Sequence, residues 1–202
     1  MGSPKDVKLS PPVHSGSLVL KNGSKLNVGY FNLHGIKDGP NWYGQKDFSS
    51  DSNGPDYPIA LNPKMFNEKT PAPKIIFTEA CYGANVIQKQ SIDAIALKCV
   101  DSGTSSFVGS TCIAYGSVTT PLIAADLLAD AFWQKILDGK PTGYALMQAK
   151  LDLAENMVNQ QGFLDGEDQK TILSFVLFGD PLAVYDGVQA MPKPLFRIKS
   201  HP

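Results

Sequence analysis

Cysteine is scarce in this chain: three residues in 202. That is too few for a disulfide scaffold, and the odd number leaves at least one unpaired within the chain. No charge sign dominates. Lys and Arg total 18, Asp and Glu 19, and the formal net charge is −1, with a pI near 6.3. A nucleic-acid-binding domain with a dominant basic face is thereby disfavoured. No apolar run approaches the ~18–20 residues of a membrane-spanning helix. The opening Met1-Gly2-Ser3-Pro4 has neither the basic start nor the apolar stretch of a secretory signal. It is compatible with a cloning remnant, which would mask a removed targeting segment. What is present suits a packed core: 43% hydrophobic and 18% charged residues, with 18 Gly and 15 Pro as punctuation. The length fits one domain, or two small ones at most.

Residues 1–16 are polar and Pro-rich and read as a flexible lead-in. Asn22-Gly23 is a strong hairpin signal, because both residues tolerate positive φ. Its return strand is expected over Lys25 to His34, with Leu26, Val28, Tyr30, Asn32 and His34 on one face. The segment 35–72 is rich in Gly, Pro, Asn and Asp and reads as a long loop. Pro73 to Ala80 reads as a buried parallel strand. Ile92, Ile95, Ala96 and Cys99 form one helical stripe, with Gly103 past its end. Ser105 to Gly109 is the next strand. A helix over Pro121 to Asp138 stops at Gly139. Thr142 is placed to cap another helix, reaching about Val158. Ser174 to Phe178 is the last strand, broken by Gly179-Asp180-Pro181, and 187–202 reads as a tail or linker. This alternation predicts an α/β fold with a mostly parallel sheet. Its ligand site belongs at the carboxyl ends of the strands.

Two of those ends carry chemistry. One closes with Asn32-Leu33-His34-Gly35, the other with Glu79-Ala80-Cys81-Tyr82-Gly83. A thiolate beside an imidazole is a minimal kit for nucleophilic acyl transfer. The imidazole titrates near neutrality, so it can take the thiol proton and deliver one to the leaving amine. Of the three histidines, His14 and His201 lie in segments read as loose, and only His34 has a rigid element behind it. Cys99 sits on a helix stripe and Cys112 in a small-residue loop, whereas Cys81 ends a strand. Taken singly, a strand-end Cys is usually a small core residue, and His-Gly is usually a turn. Asp51-Ser52-Asn53-Gly54-Pro55-Asp56 clusters oxygen donors but lacks the twelve-residue calcium-loop pattern. A solvated turn is the plainer reading, with structural calcium as the alternative, and no other cofactor is expected.

At these residues the chain resembles a caspase-fold cysteine peptidase, with the gingipain-type family the nearest. The likeness runs from Asn32-Leu33-His34-Gly35 and Trp42 through Glu79-Ala80-Cys81-Tyr82-Gly83 and Phe107-Val108-Gly109-Ser110-Thr111. It continues with Tyr115, Gly143-Tyr144-Ala145-Leu146 and Ala149-Lys150, and closes with Leu177-Phe178-Gly179-Asp180-Pro181. The order and spacing of these pieces, over about residues 28–185, are more specific than any one of them. The resemblance implies a caspase-like α/β domain over 17–186, with an N-terminal hairpin and a shortened N-terminal half, since only 33 residues precede His34. It implies a cysteine endopeptidase with His34 as general acid/base and Cys81 as nucleophile. The oxyanion would be held by the backbone N–H groups of Gly35 and Cys81.

By the same resemblance Glu79 is expected to help form the pocket for the side chain before the cut, favouring Lys or Arg by charge-assisted hydrogen bonding. Residues two apart on a strand share a face, which would let Glu79 and Cys81 line one pocket. The plainer alternative has Glu79 capping a backbone group or pairing with a Lys. Tyr115, with Ala114, Gly116 and Ser117, matches the segment bordering the substrate groove; an ordinary strand-to-helix loop is the alternative. The expected partners are protein or peptide substrates, not nucleic acid or a membrane span. A dimer or second chain would complete the exposed sheet edge. The family pattern implies an extracellular or cell-surface location. Two other functions compete: a caspase-like binding or scaffold module without turnover, and a small-molecule acyl-transfer or amidohydrolase enzyme.

Overall fold

The computed structural model describes residues 27–46, 53–117 and 121–187. The lead-in, the Asn22-Gly23 hairpin, His14, His201 and the tail past Gly187 lie outside the described residues, as do Asp51 and Ser52.

The main sheet has four strands in the order β1-β5-β6-β7: β1 (Val28–Phe31), β5 (Ile75–Thr78), β6 (Ser106–Ser110) and β7 (Phe175–Gly179). β1, β5 and β6 run parallel, and β7 pairs antiparallel with β6. A second, antiparallel sheet holds β2 (His34–Gly35), β3 (Trp42–Tyr43) and β4 (Ile59–Leu61). It is followed by a single 3-10 turn at Pro63–Met65, capped by the Asn62 side chain. The described residues also form four helices: α1 (Ile95–Asp101), α2 (Ala124–Leu137), α3 (Thr142–Gln161) and α4 (Gly166–Ser174).

The central strands β5 and β6 are buried at every position because both faces are covered. Ile75, Phe77, Val108 and Phe175 pack against Leu128, Phe132 and Ile136 of α2 and Ala145, Ala149 and Leu153 of α3. The alternate residues Ile76 and Phe107 turn to the other face. There they join Phe31, Ile95, Ala96 and Cys99 of α1, and Trp42, Leu61 and Phe66 of the small sheet region. The architecture is therefore a helix–sheet–helix sandwich, with the small sheet docked on the α1 side.

Several expectations are corrected. β1 stops at Phe31, so His34 does not continue its face; Asn32 and Leu33 leave the sheet and His34 pairs with Tyr43. The segment read as a long loop holds β3 and β4, both too short to show a period. Ile92 precedes α1 and is exposed. Thr142 does not cap α3: Pro141 occupies that position, and the Thr142 hydroxyl donates to the Asp180 carbonyl at 3.0 Å. Helix α4 was not expected. Its start is set by Asp165, whose side chain accepts from Glu167 N and Asp168 N. It ends with Ser174, one residue before β7. Gly139 and Gly162 adopt the positive φ that helix exits require (76° and 86°).

Phe77 is the hub of the α2–α3 side. It is fully buried, stacked on Phe175 at 5.4 Å and tilted against Phe132 at 5.2 Å. Phe77→Ala is expected to cost about 3–5 kcal/mol of stability, read from urea denaturation.

Candidate active site

The register of the main sheet sets the site. Phe31 of β1 lies opposite Thr78 of β5, and His34 and Cys81 each stand three residues beyond that pair. The chain leaves β5 through local bonds. Thr78 Oγ1 and Glu79 N both donate to the Phe31 carbonyl, and Ala80 N donates back to Thr78 Oγ1. Cys81 therefore opens a turn instead of extending the strand. Tyr82 sits in the left-handed region (φ 57°), and its N–H donates to the Cys112 carbonyl at 2.7 Å. Gly83 N donates to Ala80 O and Ala84 N to Ser110 O, lacing the turn to the end of β6.

His34 is delivered by the small sheet. Its neighbour Gly35 pairs with Trp42, whose buried ring packs against Phe31 (5.6 Å) and Phe107 (6.3 Å). Gly35 is pressed onto the Cys81 backbone so closely that a β-carbon would lie 2.0 Å from the Cys81 carbonyl oxygen. The exposed imidazole is held on two sides. Nε2 donates to Gln45 Oε1 at 3.0 Å, and the ring meets Tyr57 edge-on at 4.9 Å. With the proton on Nε2, the neutral ring keeps Nδ1 as its proton acceptor. The half-buried Cys81 thiol donates to the Ala114 carbonyl at 3.6 Å. Thiol and imidazole thus share no hydrogen bond in this state. Among the described residues the Cys81 N–H makes no hydrogen bond. Cys99 is fully buried, and that burial pushes its thiol well up, which makes it an inert core residue.

Glu79 is buried and faces the α2 side. The alternation that would align it with Cys81 ends with β5 at Thr78. Among the described residues it neither caps a backbone group nor pairs with a Lys. Tyr30 donates its hydroxyl to Glu79 Oε1, and the Asp126 carboxyl stands beside Glu79. Burial, then the Asp126 contact and charge, raise the Glu79 carboxyl from 4.5 to about 8, against the opposing pull of the Tyr30 hydrogen bond. Desolvation and the neighbouring Glu79 push the Tyr30 phenol up as well. Asp126, equally buried, accepts from Ser117 N at 2.5 Å. Tyr115 is half-buried, with Lys170 Nζ 4.9 Å from its ring centre.

Four of these residues escaped the sequence reading. Tyr30 had a signal: it pairs with Phe77 across β1 and β5, and Glu79 lies two residues further on. Asp126 had a weaker one, an acid in the first turn of a helix. Gln45 and Tyr57 lie beside strands too short to show any pattern. Among the described residues no three His, Cys, Asp or Glu side chains gather as a metal site. Asp56, from the oxygen-rich cluster, pairs with Lys46 at 3.5 Å. No described helix is long and apolar enough to cross a membrane.

A parallel-centred sheet ending in a cysteine turn, with a His-Gly strand folded onto it, is the framework of a caspase-like cysteine peptidase. The model of Peptidase family C25, the gingipain family, matches residues 58–185, more than half of the chain, and the chain belongs to that family. It is accordingly a cysteine-type peptidase, a hydrolase. The matched region includes Glu79, Cys81, Tyr115 and Ser117 and begins after His34. No curated protein matches the chain.

Gly35→Ala must displace the Cys81 backbone, and a displacement near 1 Å within an active site costs about 100-fold. That loss in kcat/KM is expected with an unchanged far-ultraviolet circular dichroism spectrum. Glu79 binds its proton more tightly folded than unfolded. Between pH 4.5 and about 8 the native state therefore holds more protons, and stability falls as pH rises through that window. Glu79→Gln should flatten this decline, seen in melting temperatures at pH 5 and pH 9.

Proposed function

We propose that the chain is an endopeptidase in which Cys81 is the nucleophile and His34 the general acid/base. The observation that carries this reading is the contact of Gly35 with the Cys81 backbone, which folds the imidazole's strand onto the thiol's turn. His34 takes the thiol proton, and the sulfur attacks the scissile carbonyl carbon. The N–H groups of Gly35 and Cys81 receive the developing oxyanion, each such donor contributing about 3–4 kcal/mol. His34 returns the proton to the leaving amine, and water then cleaves the thioester. In the free enzyme Gln45 holds the ring and Ala114 holds the thiol. Substrate must draw the two together, as catalytic hydrogen bonds commonly tighten only once substrate is bound.

Cleavage after Lys or Arg belongs to the same proposal, with Glu79, Tyr115 and Ser117 bordering the substrate. Its support is that neither Glu79 nor Asp126 has a cationic partner among the described residues. A substrate ammonium or guanidinium would replace the Tyr30 hydroxyl as donor to Glu79. A second chain pairing along β1, an edge strand among the described residues, and an extracellular or surface location extend the proposal.

A module without turnover is the competing reading, favoured by the separate hydrogen bonds of thiol and imidazole. Fluorogenic peptides decide between them. Cys81→Ala and His34→Ala should each lower kcat/KM by roughly 10,000-fold. Wild-type cleavage should favour Arg or Lys before the cut. Preference for Asn or Asp rejects the basic specificity, and cleavage that survives Cys81→Ala rejects the nucleophile.

A further inference from the structure

The segment Ala114–Ser117 is tied down at every residue. The Ala114 carbonyl accepts the Cys81 thiol. The Tyr115 carbonyl accepts Ala125 N–H at 2.9 Å. Gly116 lies so close to Asp126 that a β-carbon there would meet its carboxylate oxygen at 3.1 Å. Ser117 N–H donates to Asp126 Oδ2. Two of the four ties end on one side chain at the start of α2, and that side chain also meets Glu79, two residues before the nucleophile. The two carboxyl groups are neighbours with no cationic partner for either among the described residues. Only a shared proton makes that contact attractive, since two carboxylates at hydrogen-bond distance repel.

We propose that Asp126 is a positioning residue for peptide cleavage: sharing a proton with Glu79 while accepting from Ser117, it clamps the groove wall Ala114–Ser117 to the segment that carries Cys81. This rests on the proposed role of Cys81. Among the described residues the titratable group facing the pair is Tyr30 from β1, which stays protonated and donates to Glu79; Lys170 from α4 lies over the Tyr115 ring of the wall. Glu79 is thus the member that loses its proton as the solution turns alkaline, and the wall is released when it does.

Amide hydrogen exchange over residues 112–117, corrected for intrinsic rates, reads the clamp directly. Wild-type protection should fall between about pH 7 and about pH 9, Glu79→Gln should keep it, and Asp126→Ala should lack it at both. On peptide substrate at neutral pH, Asp126→Ala should lose about 100-fold in kcat/KM. Asp126→Asn retains an acceptor for Ser117 and offers Glu79 a donor, and should stay within about tenfold of the wild type. Protection that falls with pH in Glu79→Gln as it does in the wild type overturns the proposal. So does an Asp126→Ala protein that cleaves within about threefold of the wild type. A wild-type protein that cleaves no peptide rejects the nucleophile assignment instead, and the exchange measurement still decides the clamp.

Discussion

Where Gly35 crosses Cys81 there is no room for a side chain, and that close approach is the constraint on which the candidate site depends. The main sheet alone cannot bring the imidazole to the sulfur, because β1 ends at Phe31 and the chain then departs. A second sheet recovers the approach. Its middle strand puts Trp42 into the core below the main sheet, and the strand beside it returns His34 and Gly35 over the cysteine turn. The residue that permits the contact is glycine, and the residue that anchors it is an aromatic seven positions later.

Below the contact, polar chemistry is arranged in depth. Tyr30 donates to Glu79, the Ser117 amide donates to Asp126, and the two carboxyl groups adjoin, so polar groups run from β1 to the start of α2. Glu79 and Asp126 are buried, so each is held by its neighbours instead of by water, and loss of one leaves the next unsatisfied. On the other side of the sheet Cys99 lies in an apolar setting that suppresses its ionisation.

The long apolar elements were legible because both faces of β5 and β6 are covered and α2 and α3 are long enough to display a repeat. His34 and Cys81 were legible because each closes a recognisable segment. The small sheet was not: β2 and β3 are two residues each, and neither periodicity nor propensity speaks at that length. Helix α4 was hidden by its polar composition, since its stability rests on the Asp165 cap and on Thr171 and Ser174 packed inward. Asp126 escaped because a helical acid ordinarily faces solvent, and only the tertiary fold turns this one against Glu79.

The small sheet belongs to a different layer from the strands that bear the thiol, and it meets them through few side chains: Trp42, Leu61, Phe66 and their immediate neighbours. Changing the size of those apolar residues would translate the imidazole relative to the sulfur without altering any group that reacts. Protein engineers seeking graded activity, or a peptidase held dormant until a ligand tightens it, have a natural adjustment screw in that layer.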